Sequence, residues 1–195
     1  RGPRRQLLPV GGAAGSSDGG KRRGGRRGVT PREVRGVCPE AVFVDSDYTA
    51  SSIYAQRMYR IARRHTAVVE EYSIDECFAD ITGLDQTYGK PYEEIAQDIK
   101  RALELKLGIT FGVGLGPTKV LAKTASKYRK PGGFTTITAA TAHLFLDTMP
   151  IGSIWGIGPA MSAEFNKLGI TTAGGFARVP QEWLRTNRVG KQYTG

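Results

Sequence analysis

The sequence has only two cysteines and no long apolar run. Cys38 and Cys77 lack the spacing of a metal site, and two thiols in 195 residues do not indicate a disulfide framework. The apolar stretch "QLLPV" near the start is too short for a secretion signal or a membrane span. These absences predict a soluble protein of a reducing compartment, which we expect to be cytoplasmic with no membrane partner.

Positive charge is abundant and unevenly distributed. The net charge is +10, and residues 1–30 contain eight Lys or Arg against a single Asp. Residues 1–28 consist mainly of Gly, Arg, Ala and Ser, so they have almost nothing to bury and are predicted to be a disordered basic segment. Such a segment binds nucleic acid through charge, or it is a linker or mistranslated end without a role.

The remaining sequence predicts an α+β fold. The patterns indicate a helix ending before Pro39, a short strand at residues 41–44, and an amphipathic helix with a basic side from residue 48. A hairpin around "SID", a loop from "GLDQTYGKP" and a helix at residues 92–108 follow. A strand, a helix, another strand and a helix then lead to Pro150. This order predicts an α+β sandwich: a small mixed or antiparallel sheet with helices on one face.

The composition changes after Pro150. Short helical patterns there are joined by Gly-rich turns, as in "IWGIGPAMSAEFNKLGI". They predict a second, all-helical unit of about 45 residues, which is too small to be very stable without its neighbour.

Five carboxylates crowd the predicted hairpin although the chain is basic: Glu70, Glu71, Asp75, Glu76 and Asp80. Near the bend, Asp75 and Glu76 can converge on one point, and a bound cation would offset their repulsion. Carboxylate oxygens suit Mg²⁺, which binds one or two protein carboxylates and fills its other positions with water and phosphates. The alternative is a solvated hairpin tip.

A basic helix follows in "GLGPTKVLAKTASKYRKPGGF". Lys119, Lys123 and Lys127 recur at every fourth position, so they share one face and repel one another unless an anion lies across them. The anion would be a triphosphate or a nucleic-acid backbone. A solvated lysine face is the alternative.

The "GIG" turn after Pro150 matches a helix-hairpin-helix. Gly156 and Gly158 let backbone N–H groups approach a phosphate at the start of the next helix, where Pro159 fits the first turn. This pattern predicts a sequence-independent contact with a DNA backbone. A plain tight turn between packed helices is the alternative.

The segments "YSIDECFADIT", "GVGLGPTKVLAKTASKYRKPGGF" and "IWGIGPAMSAEFNKLGI" together closely resemble Y-family, translesion DNA polymerases of the DNA polymerase IV type. The resemblance implies error-tolerant, template-directed synthesis on primer-template DNA from deoxynucleoside triphosphates. It makes Asp75 and Glu76 ligands of catalytic Mg²⁺, and it makes Lys130 the contact to the incoming triphosphate. DNA contacts are expected at Gly156, Gly158, Lys119 and Lys123.

The resemblance also implies a domain division. Residues 29–45 correspond to the end of the fingers, 46–148 to the palm and 149–195 to the thumb. A third metal-binding Asp on a D-x-D-x-F-F strand has no counterpart in this sequence. We therefore expect an incomplete fragment with little or no activity. A sliding clamp would bind through a C-terminal region expected beyond the last residue.

Two other functions compete with polymerisation. A catalytically inactive, polymerase-like accessory protein would bind DNA without chemistry; the absent third Asp favours it, whereas Asp75, Glu76 and Lys130 oppose it. A nucleotide cyclase can share a palm-like sheet and Mg²⁺, but it has no use for a helix-hairpin-helix.

Overall fold

The computed structural model describes residues 30–129 and 131–186. The predicted basic segment 1–28, Lys130 and the end of the predicted thumb, residues 187–195, lie outside the described residues. The described elements, in chain order, are α1 Pro31–Val37, α2 Tyr48–Ala62, β1 Val68–Ser73, β2 Glu76–Asp80, α3 Leu84–Tyr88, α4 Tyr92–Leu107, β3 Val113–Leu115, α5 Lys119–Tyr128, β4 Phe134–Thr136, α6 Ala142–Leu146, a 3₁₀ turn Ile151–Ser153, α7 Pro159–Lys167, α8 Ala173–Ala177 and α9 Gln181–Thr186. The predicted α+β class is confirmed.

The described chain divides into two compact units. One contains residues 30–57 together with 73–76, and the other contains residues 58–72 together with 77–186. Most of the secondary structure therefore belongs to the second unit.

The first unit begins with a well-capped helix. Thr30 Oγ1 accepts a hydrogen bond from the Glu33 backbone N–H at 3.3 Å, and the Thr30 N–H donates to Glu33 Oε2 at 2.6 Å. This reciprocal pair satisfies two donors that the first turn would otherwise leave unpaired, and Pro31 suits the first helical position. The predicted helix before Pro39 is confirmed.

The predicted strand at residues 41–44 is wrong. These residues have no regular secondary structure, and Val42 and Val44 are 73% and 74% exposed. A strand needs a partner for its backbone groups, and the apolar character of "AVFV" cannot supply one.

Helix α2 confirms the predicted amphipathic helix but not all of its apolar stripe. Its buried side chains are Ala55, Met58, Tyr59, Ile61 and Ala62. Ile53 and Tyr54, which the pattern assigned to the same face, are 49% and 44% exposed.

The strands pair as two separate two-stranded sheets rather than one. Strands β1 and β2 are joined by two residues, Ile74 and Asp75, a connection that only antiparallel strands can make. Strands β3 and β4 are parallel, with Val113 opposite Phe134 and Leu115 opposite Thr136. Helix α5 is the crossover that a parallel pair requires.

Helix α4 has the apolar stripe that its sequence predicts. Its buried residues are Ile95, Ala96, Ile99, Leu103 and Leu107, and Gly108 ends it in the left-handed conformation at φ +68°. The predicted loop "GLDQTYGKP" contains the short helix α3. None of the described helices is long and apolar enough to cross a membrane.

The helices after Pro150 enclose a small core of their own. Phe165 is fully buried and meets the Phe176 ring edge-on at a centroid distance of 5.0 Å. The other buried members of this core are Ile151, Ile157, Ile170 and Leu184. The predicted pattern of short helices joined by tight turns is confirmed.

Helix α5 packs unusually close to strand β3 at Gly114. A Cβ at Gly114 would collide with the Ala122 carbonyl oxygen, the Ser126 nitrogen and the Ala125 Cβ. Two of these three atoms belong to the backbone and cannot turn away, so only glycine allows this separation of helix and strand.

We therefore expect Gly114→Ala to destabilise the fold by about 2–4 kcal/mol, because the helix must move away from the strand. Urea or thermal unfolding followed by circular dichroism measures the loss. Gly36→Ala is the matched control: a Cβ there meets nothing within 4 Å, and alanine favours the helical conformation. A Gly114→Ala protein as stable as the Gly36→Ala protein would contradict the close packing.

Candidate functional site

Asp75 and Glu76 occupy the turn of the β1–β2 hairpin, as predicted. Asp75 is in the two-residue connection and Glu76 is the first residue of β2. The Ser73 hydroxyl donates to Asp75 Oδ1 at 2.8 Å, so a neighbour within the same turn orients this carboxylate. Both residues therefore lie at the bend of the hairpin.

The Asp75 and Glu76 carboxylates can supply only some of the ligands that a hard cation needs. Within residues 30–129 and 131–186, no three His, Cys, Asp or Glu side chains are grouped so that they could hold a metal ion. Two adjacent carboxylates match the way Mg²⁺ is usually held, through one or two carboxylates together with water and substrate phosphates. Asp75 and Glu76 are thus the residues that could hold it.

The other three hairpin carboxylates also have protein partners. Glu70 forms an ion pair with Lys119. Glu71 accepts a hydrogen bond from Arg63 at 2.7 Å. Asp80 accepts from the Thr82 N–H at 2.9 Å, and hydrogen bonding by Thr82 lowers its pKa. These contacts offset part of the like-charge crowding of the hairpin.

The structure assigns different surroundings to the two predicted DNA-binding lysines of α5. Lys119 is paired with Glu70, which reduces the charge it can offer to a phosphate. Lys123 lies over the Tyr72 ring at 4.2 Å and over the Trp155 ring at 5.1 Å from the respective centroids. Neither aromatic ring neutralises its charge.

An aromatic cluster, which the sequence did not predict, joins the hairpin to the segment before the "GIG" turn. We define it as Tyr72, Phe78 and Trp155. The Trp155 indole N–H donates to the Tyr72 hydroxyl at 2.9 Å. The Trp155 ring stacks on Phe78 at 5.6 Å and meets Tyr72 edge-on at 5.1 Å. Eighty-three residues separate Trp155 from Tyr72, so no local pattern reveals the contact.

The "GIG" turn directly follows Trp155. Gly156 has φ +98°, a conformation that side chains disfavour. Gly158 caps the N-terminus of α7 with φ −80° and ψ 173°, and it supplies no side-chain hydrogen bond to the first turn. A Cβ at Gly158 would meet nothing within 4 Å. The helix start is therefore open to an external group, as a phosphate contact requires.

Cys77 follows Glu76 but does not extend the set of metal ligands. Burial raises the pKa of its thiol to about 11, with smaller opposing effects from Arg63 and Glu71. A thiol is also a soft ligand, whereas Mg²⁺ prefers oxygen donors.

This pKa predicts a pH effect on stability. Below about pH 9 the Cys77 thiol is protonated in both the folded and unfolded states, so its full contribution to the stability of the folded state is present. Between about pH 9 and 11 only the unfolded state ionises, so stability falls by on the order of 1–2 kcal/mol as pH rises.

Urea unfolding of the wild type and of Cys77→Ala at several pH values isolates this contribution. We expect the difference in stability between the two proteins to decrease from pH 9 to 11. Parallel pH profiles for wild type and Cys77→Ala would contradict a buried, protonated thiol.

Comparison with known families gives two matches. A model described as the impB/mucB/samB family matches residues 12–127, which is more than half of the chain. A second, described as the IMS family HHH motif, matches residues 140–170, around the "GIG" turn.

Curated relatives are named DNA polymerase IV. The protein from Moorella thermoacetica is 39% identical over 159 residues, covering 82% of this chain and 40% of the relative. DNA polymerase IV 2 of Bacillus subtilis is 36% identical over 157 residues, covering 78% and 38%. This chain thus spans about two fifths of the length of these relatives.

Solved structures with similar folds include several that are named as DNA polymerases. A Dbh ternary complex matches with a TM-score of 0.81 and 25% identity, covering 96% of this chain and 56% of that one. A DinB family error-prone DNA polymerase from Sulfolobus solfataricus matches with a TM-score of 0.79 and 25% identity, covering 95% and 55%.

Proposed function

This chain belongs to the impB/mucB/samB family, and we propose on that basis that it carries the catalytic carboxylates and a DNA-backbone contact of an error-tolerant, template-directed DNA polymerase. The observation that carries the proposal is the two-residue hairpin turn, which holds Asp75 and Glu76 next to each other. The substrates would be primer-template DNA and deoxynucleoside triphosphates, and synthesis would extend past damaged template bases.

The proposed roles follow from the chemistry of each side chain. Asp75 and Glu76 would hold Mg²⁺, and Ser73 would keep the Asp75 carboxylate oriented through its hydrogen bond. When Mg²⁺ is bound to carboxylates of this kind, the chemistry it supplies is neutralisation of phosphate charge. Lys130, outside the described residues, would contact the triphosphate of the incoming nucleotide.

The DNA contacts would come from the "GIG" turn and the basic helix. The backbone at Gly156 and Gly158 would approach a phosphate without reading the base sequence. Lys123 would add charge beside them. Lys119 contributes less in this proposal, because Glu70 already pairs with it.

The proposed domain division remains 29–45 for the end of the fingers, 46–148 for the palm and 149–195 for the thumb. We also propose that the protein acts in the cytoplasm and that it binds a sliding clamp, which is a partner outside this chain.

One observation favours the catalytically inactive DNA-binding protein as a second candidate. The described residues group no third carboxylate with Asp75 and Glu76. Two carboxylates alone would position metal ions poorly, and misplacement by about 1 Å can cost around a hundredfold in rate.

A chimera separates the two candidates. Residues 30–186 of this chain replace the matching segment of the Moorella thermoacetica DNA polymerase IV, and primer extension is measured with Mg²⁺ and deoxynucleotides. We expect extension by the chimera. Asp75→Asn or Glu76→Gln should lower its rate by about a hundredfold or more while DNA affinity is kept, because several kcal/mol of charge stabilisation is lost with little change in shape.

Glu93→Gln is the matched control, since it makes the same chemical change at an exposed position of α4. Unchanged extension in the Asp75 and Glu76 variants would remove both residues from the site. A folded chimera that binds DNA but never extends a primer would favour the inactive protein.

The DNA contact at the "GIG" turn can be tested on the chain itself. Residues 1–28 carry enough charge to bind DNA alone, so the comparison uses a chain starting at Val29. Gly158→Val should weaken binding to duplex DNA of any sequence by about tenfold at low salt. The added side chain keeps the phosphate away from the backbone, and it clashes with nothing in the protein.

Ala163→Val adds bulk at an exposed position further along the same helix and should leave affinity unchanged. Fluorescence anisotropy with labelled duplexes measures the affinities, and circular dichroism checks the folds. If Gly158→Val and Ala163→Val bind equally well, the turn is only a structural connection.

A further inference from the structure

Tyr72, on strand β1, is the residue that connects the other members of the aromatic cluster. Its ring meets Phe78 edge-on at 5.7 Å and Trp155 edge-on at 5.1 Å, and the Lys123 ammonium lies over it at 4.2 Å. Tyr72 is nevertheless 42% exposed. A side chain that only filled the core would be buried, so these contacts indicate that Tyr72 orients its neighbours.

The Tyr72 hydroxyl fixes one edge of the Trp155 ring. It accepts a hydrogen bond from the Trp155 indole N–H at 2.9 Å. Indole has a single donor, so only one rotation of the ring within its own plane makes this bond. Stacking on Phe78, at 5.6 Å with 27° between the planes, restrains the tilt of the ring but not its rotation within the plane. The hydrogen bond and the stacked ring together therefore hold Trp155 in one orientation.

The position of Trp155 is coupled to the backbone of the "GIG" turn. The Ile157 N–H donates to the Ile154 carbonyl at 3.1 Å, so Trp155 and Gly156 are the two central residues of a closed four-residue turn. The φ of +98° at Gly156 suits the third position of a type II turn. Because the Trp155 backbone is part of this turn, displacement of Trp155 from the cluster would move the turn and the start of α7 with it.

We propose that Tyr72 is a positioning residue for the DNA-backbone contact. Its hydroxyl holds the Trp155 ring, Trp155 holds the turn, and the turn presents the backbone at Gly156 and Gly158 to a phosphate in one orientation. Tyr72 itself does not touch DNA in this arrangement. The inference rests on the DNA contact proposed above and deepens it, since it assigns control of that contact to a strand residue 83 positions away from Trp155.

Tyr72→Phe tests the hydroxyl alone, because it keeps the ring and its aromatic contacts. Nuclear magnetic resonance of the full chain follows the two indole N–H signals, and Trp183→Phe assigns them. We expect the Trp155 signal of Tyr72→Phe to shift upfield and to exchange faster with solvent, since its acceptor is lost. The Trp183 signal should stay in place, because that ring packs on the core of the helices after Pro150.

The second measurement is the affinity of the full chain for short duplexes, by fluorescence anisotropy at low salt. Tyr72→Phe should weaken binding by about fivefold whatever the base sequence, because the turn is no longer held in one orientation. Tyr92→Phe is the matched control and should bind as the wild type does: its hydroxyl accepts the Gly83 N–H at 3.0 Å, outside the aromatic cluster. Residues 1–28 are present in every protein compared, so their charge contributes equally to each affinity.

Gly158→Val distinguishes positioning of the turn from a general loss of structure. This substitution already keeps the phosphate away from the backbone, so adding Tyr72→Phe to it should cause no further loss of affinity. If Tyr72 acted only on overall stability, the two losses would multiply.

Three results would overturn the role of Tyr72: an unchanged Trp155 signal in Tyr72→Phe, equal affinities of Tyr72→Phe and Tyr92→Phe, and a full further loss in the double variant. If Gly158→Val lowers the affinity and Tyr72→Phe does not, only the role of Tyr72 fails. If neither variant lowers it, the proposed DNA contact fails as well.

Discussion

The close contact between helix α5 and strand β3 fixes the positions of the basic side chains. It depends on Gly114, where any Cβ would enter the backbone of the helix. Gly116 permits a similarly close approach, because a Cβ there would lie 2.8 Å from the Ala122 nitrogen. A helix held by backbone contacts cannot shift along the strand without large rearrangement. The packing of α5 against β3 therefore fixes the direction in which the lysines of α5 point.

Two carboxylates of the hairpin are paired with basic side chains. Glu70 pairs with Lys119, and Glu71 pairs with Arg63. Both pairs are largely exposed, so each contributes little to stability. Their main consequence is local: each pair reduces the charge that its carboxylate and its basic side chain can offer to another ligand.

The sequence predicted the elements that are determined by residues close together in the chain. Helix α4 has an apolar residue at each buried position and a terminal Gly108, and α1 has both halves of its capping box, so both helices followed from the sequence. The turn with Asp75 and Glu76 followed from the two strand-like runs on either side of "SID". The resemblance to Y-family polymerases, drawn from three motifs, is confirmed by the family match and by the named relatives.

What the sequence could not predict depends on distant partners. The apolar residues 41–44 look like a strand, but a strand exists only where another one accepts its hydrogen bonds. Lys119 looks like a free cation until the fold brings Glu70 to it from 49 positions away. Residues from the segments 123–128 and 145–155 likewise line one pocket beside α5 only because the fold brings the two segments together.

The aromatic cluster links the stability of the helices after Pro150 to the DNA contact proposed for their "GIG" turn. A unit of this size buries too few side chains to be very stable alone. Trp155 adds a stacked ring, an edge-on ring and an indole hydrogen bond, all to the hairpin strands. Gly156 is the residue after Trp155. The backbone that would contact a DNA phosphate therefore begins directly after this buttressed tryptophan. Tyr72 and Phe78 therefore hold one end of the proposed DNA contact, so a change at Trp155 would alter stability and DNA binding together.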